Sequence, residues 1–203
     1  RCFKILSNMG IKLHVAWRDK PTRRGFSMID SQGERAITVI GERLAPNYRD
    51  NLDWDILKKM DGIFITASDS EIFKMARSAS ILCTTPRVGI NTINKSNVSL
   101  DGLIGSNLDP GEEFSFSELL VKPKYTIKTE GEKGGIIFPG GRYEALKNKD
   151  RKVDSYGCGD SFAAGILYGM ASNWDIDKSL NLAKVIGRDS SEFFGPYANS
   201  DEK

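Results

Sequence analysis

From Gly62 onward the chain alternates short apolar runs with helical patterns, and this rhythm restricts the fold more than any other feature. Gly62 to Thr66, Ile81 to Thr84 and Leu100 to Gly105 read as buried strands, with a helix over Ser70 to Ser80 and a further helix before Leu100. Strand, helix and strand in succession predict a parallel sheet covered by helices. A helix near Leu52 to Lys59 precedes the first of these strands. Tyr125 to Glu130 and Gly135 to Phe138 form a hairpin-like pair around Gly131-Glu132-Lys133-Gly134, and two helices, Asp160 to Ser172 and Ile176 to Gly187, follow. In the first, Phe162, Ile166 and Met170 recur at four-residue spacing, while Ala163, Ala164, Gly165 and Gly169 are small enough to let the helix lie close to the sheet. Ile176, Leu180, Ala183 and Gly187 repeat that period in the second.

The first 45 residues have a different texture. Residues 1 to 10 read as the last turns of a helix stopped by Gly10. Ile11 to Trp17 alternates like a strand and holds His14, the only histidine, as a structural residue. A polar loop from Arg18 to Gly25 leads into an antiparallel hairpin of Phe26 to Asp30 and Arg35 to Ile40, joined by Ser31-Gln32-Gly33-Glu34. No internal repeat interrupts the chain. Its 203 residues fit one domain of the usual ~100–200 residues, residues 1–203, to which residues 18–45 contribute a small β element.

Composition excludes several function classes. Lys plus Arg number 29 against 27 Asp plus Glu, and a net charge of +2 provides no general attraction for nucleic acid or an anionic membrane. Any bound anion must be held locally. The longest apolar stretches are a few residues, far below the ~20 of a membrane-spanning helix, and no secretion signal is legible, so a cytoplasmic protein is expected. Cys2, Cys83 and Cys158 are too few and too widely spaced for a disulfide framework or a zinc knuckle, and reduced thiols are expected.

The chemistry concentrates in Asp154-Ser155-Tyr156-Gly157-Cys158-Gly159-Asp160, directly before a strongly patterned helix. Glycines there bare the backbone N–H groups of a helix N-terminus, where unpaired donors and the helix dipole favour an anion. Asp160 would repel a phosphate and needs another use: it can accept the proton of a hydroxyl that attacks phosphorus. The plainer alternative is that Asp160 or Ser161 only caps the helix. Gly157-x-Gly159-x-x-Phe162 lacks the third glycine of a dinucleotide fingerprint, and no Gly-x-x-x-x-Gly-Lys-Ser/Thr occurs, so neither a Rossmann NAD site nor a P-loop is expected.

This segment closely resembles the Asp-Thr-x-Gly-Ala-Gly-Asp motif of the ribokinase-like (PfkB-type) carbohydrate kinases, with Ser155 for threonine and Cys158 for alanine. The resemblance implies a three-layer α/β sandwich with a mostly parallel central sheet and a β-hairpin lid. It also implies an ATP-dependent sugar kinase in which Gly157, Cys158 and Gly159 form the anion hole and Asp160 is the base. Thr129-Glu130-Gly131-Glu132-Lys133-Gly134 looks like the family's Thr-x-Gly-x-x-Gly turn, which places Thr129, Gly131 and Gly134 along the nucleotide. Asp109-Pro110-Gly111-Glu112 sits where the family carries Asn-x-x-Glu, which implies Mg²⁺ near Glu112 and Asp109, with Asn107 close by. Leu182, Ala183, Ile186, Gly187 and Gly195-Pro196 resemble the adenine wall, and packing competes as their role. The hairpin resembles the lid over the sugar, where Arg23 and Arg24 at its entry would meet an acidic or phosphorylated substrate.

The exposed sheet surface of this lid could pair with a second copy in a homodimer; under the same resemblance K⁺ activation stays open, and the acceptor is a small carbohydrate or polyol, with ribose, fructose, a keto-deoxy sugar acid, inositol and nucleosides all compatible. The family's opening strand and sugar-gripping aspartate have no counterpart here, so the resemblance implies an N-terminal segment upstream. A catalytically incomplete nucleotide-binding or regulatory protein of the same fold is the alternative.

Overall fold

The computed structural model describes residues 2–30, 35–147 and 153–195. Helix α1 (Cys2–Asn8) stops at Gly10, which takes a φ of 79° as the predicted helix end requires. Strands β1 (Arg24–Ile29) and β2 (Arg35–Ile40) form the predicted antiparallel hairpin as a separate two-stranded sheet, registered from Arg24↔Ile40 to Ile29↔Arg35. The turn assigned to Ser31-Gln32-Gly33-Glu34 lies outside the described residues.

The strand expected over Ile11 to Trp17 does not form. The segment is irregular and His14 is exposed, so this histidine is not part of an apolar strand. Alternation alone makes no strand: backbone N–H and C=O groups need a ladder partner, and neither sheet of the described residues includes this segment.

The main sheet is built from β3 (Gly62–Ile65), β4 (Ile81–Thr84), β5 (Gly102–Ser106), β6 (Tyr125–Thr129), β7 (Gly135–Phe138) and β8 (Gly141–Tyr143), paired in that spatial order. β3 to β6 run parallel, whereas β7 and β8 are antiparallel additions. Helices α2 (Ser70–Ala76) and α3 (Ile90–Ser96) cover one face, where Phe73, Ala76, Ile93, Leu82 and Leu103 are buried together. Helices α4 (Cys158–Ala171) and α5 (Ile176–Asp189) belong to the other core, with Ile104, Ile127, Phe162, Ile166 and Ala183. The result is the expected three-layer α/β arrangement with a mostly parallel central sheet.

Two local boundaries and one packing partner depart from the sequence reading, each for a physical reason. The helix expected near Leu52 to Lys59 is a 3-10 turn at Trp54–Lys59, because Met60 is already extended two residues before β3. α2 ends at Ala76 rather than Ser80. There the Arg77 guanidinium gathers the carbonyls of Ala79, Ser80 and Ser99 at 2.8–3.1 Å and the Asp101 carboxylate at 2.7 Å, drawing the chain across toward β4. The small residues of α4 chiefly admit α5: a Cβ on Gly165 would sit 2.7 Å from the Ala183 Cα, and one on Gly169 would sit 2.6 Å from the Ser179 Cβ.

None of the three cysteines is in a disulfide, and burial, helped by the nearby Asp101, pushes the Cys83 thiol up to about 12. Among the described residues no helix is long and apolar enough to cross a membrane. Gly169→Ala should lower unfolding stability in urea by about 1–3 kcal/mol, because overpacking outweighs the better helix propensity of alanine; unchanged stability would contradict the seam as described.

Candidate active site

The carboxyl ends of β4, β5 and β6 bring Thr84, Ser106 and Thr129 to one edge of the sheet, the edge where parallel α/β sheets bind ligands. The start of α4 is prepared by Asp154, which is fully buried. Its Oδ1 accepts the Tyr156 N–H at 2.9 Å and its Oδ2 accepts the Gly195 N–H at 3.0 Å, while the Val153 N–H donates to the Ser191 carbonyl at 2.8 Å. One carboxylate therefore ties the entry to α4 to the chain that follows α5. Gly157 then caps α4 in the left-handed region, with a φ of 85° and no side chain to occupy the first-turn amides.

Neither Asp160 nor Ser161 is the cap. Asp160 lies exposed in the first turn, and Ser161 accepts a 2.7 Å hydrogen bond from the Ser190 hydroxyl, which joins this turn to the end of α5. The space beside Gly159 is open, since a Cβ there would meet nothing within 4 Å. The Cys158 N–H leans on the Ser155 carbonyl at 3.4 Å. Gly187 lies against this turn: its Cβ would stand 3.3 Å from the Cys158 carbonyl oxygen and from the Phe162 Cβ. Ala183 is fully buried in the α4–α5 seam, so it backs the site instead of lining it. Leu182 and Ile186 are half-buried, and Pro196 lies outside the described residues.

The turn after β6 is shaped by two glycines with positive φ, Gly131 at 59° and Gly134 at 83°. A Cβ on Gly134 would collide with the Tyr143 carbonyl oxygen, so β8 can lie against this turn only because the residue is glycine. The Tyr143 ring in turn stacks on Phe162 with centroids 6.0 Å apart, which sets the glycine turn beside the first turns of α4. Thr129 accepts the Asn107 N–H on its carbonyl at 2.8 Å, and its hydroxyl reaches the Gly105 carbonyl at 3.4 Å. Glu130 accepts the Asn107 side-chain amide at 3.0 Å and the Arg142 guanidinium at 2.6 Å. These partners, Arg142 foremost, hold its carboxyl below the usual carboxylate range.

Asp109 and Glu112 stand together at the end of β5, with Arg87 from the end of β4 between them. The Arg87 Nε donates to Glu112 at 3.1 Å and another guanidinium nitrogen donates to Asp109. The Ser106 N–H donates to the second Glu112 oxygen at 2.6 Å, and the Gly111 N–H to the second Asp109 oxygen at 2.8 Å. All four oxygens thus face donors, one of them a cation, and the pair does not fit direct ligation of Mg²⁺. Among the described residues no group of three or more His, Cys, Asp or Glu could hold a metal ion. Arg23 and Arg24 are exposed at the entry of the β1–β2 hairpin. A separate cleft of about 320 Å³, between Ile81, Tyr125, Met170, Trp174 and Ile176, opens at the opposite, amino ends of β4 and β6.

Sequence reading missed Arg87, Asp154, Glu130 and Tyr143 as organisers of this region. Asp154 carried a signal, since an aspartate two residues before a turn amide forms an Asx turn; the others act across 12 to 25 residues and left none. Because Glu130 titrates lower when folded, its contribution should be complete above its ordinary 4.5 and fade as pH falls through the depressed value. The melting temperature of the wild type should exceed that of Glu130→Gln at pH 7 and converge with it under acid; a gap that persists in acid would contradict this role.

Residues 116–197 match the family model described as pfkB family carbohydrate kinase. No curated protein sequence matches the chain. Among solved structures it resembles a probable sugar kinase from Rhizobium etli CFN 42 at a TM-score of 0.66 and 17% identity, covering 87% of this chain and 62% of that one. A nucleoside kinase from Burkholderia thailandensis, in complex with inosine, matches at 0.67 and 17%, covering 96% and 70%. The Arabidopsis thaliana ribokinase complexed with ribose and ATP matches at 0.63 and 16%, covering 87% and 65%. The chain therefore spans less than two thirds of the Rhizobium and Arabidopsis kinases. Residues 116–197 are thus similar to pfkB family carbohydrate kinases in sequence, and the chain has the ribokinase-like fold.

Proposed function

We propose that the protein is an ATP-dependent kinase that transfers the γ-phosphoryl group to a hydroxyl of a small carbohydrate or polyol. The observation that carries this reading is an exposed carboxylate, Asp160, in the first turn of a helix capped by glycine, beside a second glycine turn at Thr129 to Gly134. Sugar and nucleoside kinases among the similar folds support it.

Asp160 accepts the proton of the acceptor hydroxyl as its oxygen forms a bond to the γ-phosphorus. The bond from that phosphorus to the bridging oxygen breaks, ADP leaves, and the proton remains on Asp160. The backbone at Gly157, Cys158 and Gly159 faces the charge on the transferring group, where fixed donors cost no reorganisation. Thr129, Gly131 and Gly134 run along the nucleotide, and Gly187, where α5 packs on the start of α4, borders the adenine. Mg²⁺ would enter with ATP as part of the nucleotide substrate. Arg23 and Arg24, at the entry of the lid over residues 18–45, would meet an anionic acceptor.

The same lid suggests a homodimer contact. Phe26, Met28 and Ile40 lie on one face of the hairpin and Ile29, Ile37 and Val39 on the other, all at least 38% exposed. One apolar face could cover the acceptor while the other meets a second copy.

Asp160→Asn should lower sugar-dependent ADP release by about 10²- to 10⁴-fold while ATP binding persists. Near-normal turnover in this variant would remove Asp160 as the base. ATP binding by the wild type without ADP release against any carbohydrate or polyol would favour a nucleotide-binding or regulatory protein instead.

A further inference from the structure

We propose that Arg87 is the resident cation of the Asp109–Glu112 pair, so that these carboxylates brace the sheet edge rather than ligate a divalent metal. The arrangement is built, not incidental. Arg87 lies in the 3-10 turn Pro86–Val88, where the Thr85 side chain accepts its N–H at 3.4 Å. Asp109 caps a second 3-10 turn, Pro110–Glu112, which aims Glu112 back at β5. Two glycines clear the space. A Cβ on Gly105 would lie 2.7 Å from the Glu112 Oε2 and 2.8 Å from the Pro86 Cδ, and one on Gly111 would lie 3.1 Å from the Asp109 Oδ1.

The charges decide between a guanidinium and a metal. The Glu112 side chain is only 12% exposed and requires a partner; Arg87 supplies it and reaches Asp109 with the same planar fork. With Arg87 in place the pair retains a net single negative charge, and a divalent ion brought to the same oxygens would meet the guanidinium at short range.

From Arg87 the contacts run onward. Glu112 holds the Ser106 amide, the neighbouring Asn107 holds the Thr129 carbonyl and the Glu130 carboxylate, and these shape the glycine turn. Arg87 is accordingly a positioning residue for that turn. Only this last consequence rests on the nucleotide reading; the competition with metal does not.

The test titrates Mn²⁺ alone into the nucleotide-free chain and follows the free ion by electron paramagnetic resonance. Wild type and Glu112→Gln should bind Mn²⁺ equally weakly. Arg87→Gln should bind it roughly tenfold more tightly, as loss of a like charge at short range predicts, and adding Glu112→Gln to that variant should erase the gain. A wild-type Mn²⁺ site abolished by Glu112→Gln, or no gain in folded Arg87→Gln, would overturn the proposal. Should Arg87→Gln fail to fold, the comparison of wild type with Glu112→Gln decides alone. A parallel ATP titration separates the two readings: wild type that fails to bind ATP defeats the nucleotide site and leaves the Mn²⁺ result standing.

Discussion

Parallel strands all end at the same edge, and everything proposed for this protein depends on that constraint. Their register aligns Ile65 with Thr84 and Ser106 with Thr129, so the loops that follow β3 to β6 emerge side by side. A parallel sheet needs a crossover between successive strands, and the crossover helices α2 and α3 bury one face. The other face is left for α4 and α5. Its first turn is thereby carried to the edge where Thr129 and Ser106 end, and the stacking of Tyr143 on Phe162 fixes how far the glycine turn stands from it.

Asp154, Glu112, Glu130 and Asp160, all near this edge, have different tasks because their surroundings differ. Asp154 is wholly buried and holds backbone amides from both ends of the α4–α5 unit. Glu112 and Glu130 are each bound to an arginine and to an amide from the loop after β5 or its end, which makes them struts. Asp160 alone among the four is exposed, in a helix turn that lacks a capping side chain. The base proposed for the transfer must meet its substrate, and this exposure separates Asp160 from three carboxylates whose oxygens hold the structure together.

The parallel core was legible because it is local in sequence. Ile81 to Thr84 was read to the residue, and Gly62 to Ile65 to within one, since short apolar runs between helix patterns can serve little else. The Gly157-to-Asp160 segment was legible for a similar reason: glycines ahead of a patterned helix have a direct backbone consequence. Ile11 to Trp17 misled because strand identity depends on a neighbour that the segment itself cannot specify. β8, three residues long, is too short to show alternation. Arg87 was invisible as an organiser because its partners lie 22 and 25 residues away, and an arginine after a proline looks like any surface charge.

The central claim is that nucleotide binds where the parallel strands end, beside the amino end of α4. Amide chemical-shift mapping of the isotopically labelled chain on addition of ATP tests it most directly. Shifts should concentrate at Gly131, Gly134, Gly157, Gly159 and Gly187, the glycines that surround that end. Shifts confined to Ile81, Tyr125 and Trp174, at the cleft on the opposite edge of the sheet, or no shifts at all, would contradict it.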